Sequence, residues 1–260
     1  MAVIGALHLQ SFSHRTLLTK RAMSTQVCLF LSLITDDFIL YLLESKYEQE
    51  VRLWVLQEKI IMEGNKEMNL TDVINQTHEN KKYLPDFMLS KNIIASDDLQ
   101  YVCEHADIIC FVVPHQFAEN IILRMKDYIK PSAIIISCTK GMTFSPQGPQ
   151  LVSSLIQSIC TNATVGVLSG GNVAKDIAAE NFATTTLAME SKALASDVAK
   201  VFESSAFRIE LSDDIAGAEI CGALKNVLGD HYPAPLIPSF ASLFFSIEQR
   251  WEWAFARDLT

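Results

Sequence analysis

The stretches "DIICFVVP" (residues 107–114) and "AIIIS" (133–137) decide the architecture. Both are apolar without interruption rather than alternating, as expected of strands covered on both faces. "AENIILRMKDYI" lies between them with helical spacing. Working outward, the same rhythm recurs. Further candidate strands are "VRLWVL" (51–56), "NIIAS" (92–96), "TVGVL" (164–168), "TTTLA" (184–188) and "FRIEL" (207–211), with "LVSSLIQSI" (151–159) as another helix. Alternating strands and helices predict an α/β fold with a doubly wound, mostly parallel sheet.

The 260 residues are 49% hydrophobic, enough for one sizeable core or a domain and part of a second. A net charge of −9 argues against nucleic acid as a partner, and an anionic ligand would need a local positive cluster. None of the six cysteines forms a CxxC pair, and several sit in apolar runs, so free thiols in a reducing compartment are expected. The six histidines do not cluster with cysteines at metal-ligand spacing, and no metal site is expected. "VCLFLSLITDDFILYLL" is interrupted by Asp36 and Asp37, so no membrane span is expected, because a span needs about 20 apolar residues.

Ligands of an open parallel sheet sit beyond the carboxyl ends of its strands. After 107–113 comes "PHQF", where His115 could act as a base and Phe117 as a stacking platform, or both could form an ordinary turn. After 133–137 comes "CTKGM", with Lys140 beside the flexible Gly141, a site ammonium or a solvated lysine. After 164–168, "SGGNVAKDIAAE" leads into a helix whose free N–H groups suit an anion or a carboxamide. The later helix "DDIAGAEICGALKNVL" can be capped by Asp213 or Asp214. Gly222, Cys221 and Ala218 precede Lys225 at three, four and seven residues, so the lysine stands on a small-residue face. Such a face accommodates either a close helix or a ligand.

From about Val51 to Gly229 the chain resembles the eukaryotic type of NAD-dependent glycerol-3-phosphate dehydrogenase. "VRLWVLQE", "HENKKYLP", "ADIICFVVPHQF", "TKGM", "LSGGNVAKDIAAENFATTTLA" and "EICGALKN" carry the resemblance in order. It implies a Rossmann-like domain and interconversion of dihydroxyacetone phosphate and glycerol 3-phosphate with NAD. It implies that Lys225 is the general acid, that Lys140 binds substrate and stabilises the developing oxyanion, and that Asn226 hydrogen-bonds the substrate. Phe117 and Ala174 match cofactor contacts. Leu56 falls where an aromatic cofactor contact is usual, and Asp86 where glycine is usual. A cytoplasmic homodimer is typical of the family in its complete form.

Two segments depart from the family pattern. A dinucleotide fold needs a Gly-rich first turn, yet there is no glycine between Gly5 and Gly64. After Gly229, "DHYPAPLIPSF" replaces the expected helical continuation that would supply a phosphate-binding arginine. Lys225 would then stay solvated near its ordinary pKa of about 10.4. The expected organisation is a leader or non-native extension at 1–23, the NAD-binding domain at 24–212, the start of a truncated C-terminal helical domain at 213–229 and an aberrant tail at 230–260. The first 35 residues lack acidic side chains, and a transit segment there would place the protein in mitochondria. The competing reading is a non-catalytic remnant that associates with a full-length homologue. Ketopantoate and 6-phosphogluconate dehydrogenase types are disfavoured by "HENKKYLP" together with "EICGALKN".

Overall fold

The computed structural model describes residues 27–31, 50–62, 64–170 and 177–231. Strand β1 (Val27–Leu31) lies beside β2 (Val51–Val55). The hairpin of β3 (Lys59–Met62) and β4 (Lys66–Asn69) leads to helix α1 (Leu70–Thr77). The short pair β5 (Glu79–Asn80) and β6 (Leu84–Met88) follows, then β7 (Ile93–Ser96) and α2 (Leu99–Cys103). Strand β8 (Ile108–Val112) leads to α3 (His115–Met125), and β9 (Ile134–Ser137) to a hairpin of β10 (Thr143–Ser145) and β11 (Gly148–Gln150). Helix α4 (Val152–Ile159), β12 (Thr164–Gly170), β13 (Ala183–Ala188), α5 (Lys192–Phe202), β14 (Phe207–Ser212) and α6 (Ile215–His231) complete the described chain.

The main sheet has the order β14-β13-β12-β9-β8-β1-β2-β7. Its last six strands are parallel, and the order reverses between β1 and β8. That is the doubly wound, Rossmann-like arrangement, with a crevice beyond the carboxyl ends at the reversal. Strand β13 turns antiparallel to β12, and β14 runs parallel to β13.

The continuous apolar runs are explained by two cores, one on each face. Ile108, Cys110, Val112, Ile134 and Ile136 point into one with α1 and α5 residues such as Ile74 and Phe202. Ile109, Phe111, Val113 and Ile135 point into the other with α2, α3 and α4. Helix α3 buries Ala118, Ile121, Ile122 and Met125, one stripe at helical spacing. Each large apolar side chain so buried contributes about 1.5–3 kcal/mol. Cys103, Cys110, Cys138 and Cys160 are buried in these cores as small hydrophobic groups.

Helix starts follow local chemistry. Asp98 accepts from the N–H groups of Gln100 (2.9 Å) and Tyr101 (3.3 Å), and Ser191 from Leu194 (3.3 Å). Asp214, not Asp213, caps α6: its Oδ1 accepts from Gly217 N–H at 2.8 Å. Asp213 instead pairs with Lys192 at 3.1 Å. Helix α6 runs two residues past Gly229, to His231, and Pro233 stands two residues beyond that.

Candidate functional site

Because β2, β8, β9 and β12 are parallel, their following residues gather along one edge. Leu56 follows β2 directly and is 38% exposed. Beside it, Glu58 accepts from the Lys82 ammonium and from the Tyr83 hydroxyl at 3.2 Å, which ties the "NKKYLP" segment to the end of β2. The Glu58 carboxylate pushes the Lys82 ammonium's pKa up. Phe117 lies in the first turn of α3, after β8, and is 53% exposed. It stands next to the reversal point, where a planar ring has room to stack.

Lys140 follows β9. Its loop is fastened to the end of β8 by the neighbouring Thr139, whose buried hydroxyl donates to Val113 O at 2.9 Å. Gly141 adopts φ +109°, and a Cβ there would lie 2.8 Å from His115 Nδ1. Only a bare backbone passes the imidazole at that distance, so the "PHQF" and "TKG" loops are in contact.

The reversal at β13 and β14 decides where the last helix goes. Strand β14 ends at the amino edge of the six parallel strands, so α6 starts there and runs back toward their carboxyl edge. It packs against β12 and β13. At Gly222 it comes so close that a Cβ would lie 2.0 Å from Ser169 Oγ. A small cleft opens there, bordered by Thr139, Lys140, Ser169, Gly170, Glu219 and Gly222. Lys225 and Asn226 follow Gly222 by three and four residues, about one helical turn. The structure therefore brings Lys140 to the same cleft as the helix that carries Lys225 and Asn226. Leu56 and Phe117 lie farther along the edge, at β2 and β8. Ala174 lies outside the described residues, as do residues 32–49, where the glycine-free first turn falls.

Sequence reading passed over Glu219, which is only 3% exposed. Its Oε1 accepts from Val152 N–H at 2.7 Å, both carboxylate oxygens accept from Ser153 N–H at 3.3 Å, and Oε2 accepts from the Ser153 hydroxyl. Burial pushes this carboxyl above its usual range, against the downward pull of the Ser153 and Val152 donors. The signal was a lone acid within the small and apolar run "AGAEICGAL".

Among the described residues no group of three or more His, Cys, Asp or Glu side chains is placed to hold a metal. No described helix is long and apolar enough to cross a membrane.

A parallel sheet that reverses between β1 and β8, with its loops gathered at the carboxyl edge, defines a dinucleotide-binding type of domain. Residues 39–195 match the family model of the NAD-dependent glycerol-3-phosphate dehydrogenase N-terminus. That match covers more than half of the chain, and the protein belongs to this family. It is 42% identical over 186 residues to glycerol-3-phosphate dehydrogenase [NAD(+)] 1 of Schizosaccharomyces pombe, covering 70% of this chain and 48% of that protein. The chain thus spans about half the length of the curated relatives it matches. Among solved structures, the glycerol-3-phosphate dehydrogenase GPD1 of Saccharomyces cerevisiae superposes with a TM-score of 0.72 at 28% identity, covering 90% of this chain and 71% of that one. The enzyme of Dunaliella salina also gives 0.72 at 28% identity, covering 92% of this chain and 43% of that one.

Proposed function

We propose that this chain carries the NAD-binding part and half of the substrate site of a glycerol-3-phosphate dehydrogenase, an oxidoreductase that interconverts dihydroxyacetone phosphate and sn-glycerol 3-phosphate. The observation that carries the reading is the shared cleft: Lys140 and the Lys225 helix border one opening at the carboxyl edge of the sheet.

The described residues fit a dinucleotide in part. Phe117 and Leu56 offer exposed apolar surface at the ends of β8 and β2, where a ring and an adenosine would lie. The segment between β1 and β2 fits less well, because it has no glycine to admit a pyrophosphate and carries Asp36 and Asp37. When bound, the nicotinamide supplies or accepts the hydride at the substrate's central carbon. Lys225 acts as the general acid: its ammonium gives a proton to the carbonyl oxygen as that oxygen gains charge, and takes it back in the reverse direction. Lys140 binds the substrate and holds the developing oxyanion. Asn226 hydrogen-bonds the substrate, and by its resemblance to the family's motif Ala174 is a cofactor contact. Proton donation at neutral pH requires a lysine pKa well below the ordinary value, which desolvation by a covering domain provides.

Titration of the purified chain with NADH, followed by nucleotide fluorescence, tests the reading. Weak but saturable binding is expected, and Phe117→Ala is expected to weaken it about tenfold, or about 1.4 kcal/mol. No dihydroxyacetone phosphate-dependent loss of NADH is expected from this chain alone. If no saturable binding occurs, the dinucleotide assignment fails. Steady turnover would instead show that the glycine-free turn and the sequence after Gly229 support catalysis.

A further inference from the structure

We propose that Glu219 is a positioning residue that clasps the helix bearing Lys225 and Asn226 to the segment that begins at Lys140. This role in the reaction rests on the functional reading above, whereas the clasp itself stands on geometry alone. Helix α4 begins at Val152 without a side-chain cap from its own N-cap residue, Leu151. Its first N–H groups need an acceptor. Glu219 supplies one from 66–67 residues away, through Val152 N–H, Ser153 N–H and the Ser153 hydroxyl. The carboxylate is buried and borders the same cleft as Lys140.

The placement is specific. Glu219, Gly222 and Asn226 recur at i, i+3 and i+7, so they share one stripe of α6. Glu219 fixes that stripe against α4, and Gly222 fixes it one turn later against Ser169. Between them, the rotation and depth of α6 are set, and with them the backbone positions of Lys225 and Asn226. The segment from Lys140 to Ser153 is held by the same carboxylate at its far end. One buried group thus sets the relation of the two lysine-bearing segments. Truncating one partner of such a buried set leaves the other donors without an acceptor, which costs more than the bond itself.

The test compares the full chain with Glu219→Gln, Ser153→Ala and the double variant, by hydrogen exchange with peptide resolution. Glu219→Gln is expected to speed exchange at least about tenfold in residues 215–231 and 139–153, while β2 and β8 keep their rates. Ser153→Ala, which keeps the backbone donors, is expected to produce a smaller change in the same peptides. The double variant is expected to match Glu219→Gln. Unchanged exchange in 215–231 would overturn the clasp, as would equal acceleration across the whole sheet. A second readout addresses position: acetylation of lysines by acetic anhydride, with and without glycerol 3-phosphate. In the native chain the phosphoester is expected to protect Lys140 and Lys225 together, and in Glu219→Gln to protect Lys140 alone. Undiminished protection of Lys225 in that variant would overturn the positioning role. If neither lysine is protected in the native chain while the exchange response stays local, the substrate assignment fails and the clasp stands.

Discussion

Asp86 shows how a single residue can be read from sequence and then explained by conformation. The family resemblance leads to the expectation of a glycine there, and the residue's φ is +72°. That left-handed region costs an ordinary L-residue roughly 1–2 kcal/mol, somewhat less for aspartate. Its N–H donates to Glu79 Oε1 at 2.9 Å, a bond that needs no side chain at 86. Asp86→Gly is therefore expected to stabilise the chain by up to about 1 kcal/mol, read as a raised midpoint in urea, since relief of strain outweighs the added freedom of the unfolded chain. The departure was visible in the sequence, whereas its φ was not. Similarly, two adjacent aspartates before α6 left the cap open until geometry assigned Asp214 to Gly217 N–H and Asp213 to Lys192.

At the scale of elements, legibility followed burial. The seven strands between residues 51 and 212 that carry long apolar or β-branched runs were readable, because each must satisfy one or both cores. The three small hairpin pairs were not, because their strands are only two to five residues long and pair only locally. One signal was present: the three residues between β3 and β4 include Gly64 at φ +79° and Asn65 at +63°, residue types that tolerate the left-handed region. The antiparallel turn of β13 was also hidden, since "TTTLA" looks the same in either direction. The close docking of α6 on β12 was legible only as a face of small residues. It leads to an expected outcome for Gly222→Ala. The new methyl would meet Ser169 Oγ, so α6 must shift, at a cost of about 1–3 kcal/mol in unfolding free energy. Ser169→Gly in the same chain is expected to recover much of that loss in denaturant unfolding.

Across the whole molecule, the candidate site is a collection of strand exits. Sequence order placed Leu56 at the end of its strand and Phe117 and Lys140 after theirs, and topology then aligned those exits on one edge. What sequence reading could not supply was the path that returns α6 to that edge, because it depends on the direction of two strands rather than on any residue in them. Phe182, 72% exposed at the start of β13, belongs to the same edge for the same reason. Together with Phe117 it makes that side of the sheet apolar as well as open.

The long separation bridged by Glu219 also bears on the order in which the chain acquires its structure. Closing a contact across 66–67 residues is entropically late, since β9, β12, β13 and β14 must assemble before α6 has a surface to meet. The parallel strands around β8 can nucleate well before the ribosome releases residue 219. An interaction made after the folding barrier slows escape from the native state rather than speeding entry to it. In stopped-flow denaturant jumps, Glu219→Gln is accordingly expected to raise the unfolding rate several-fold and to leave the refolding rate near its native value.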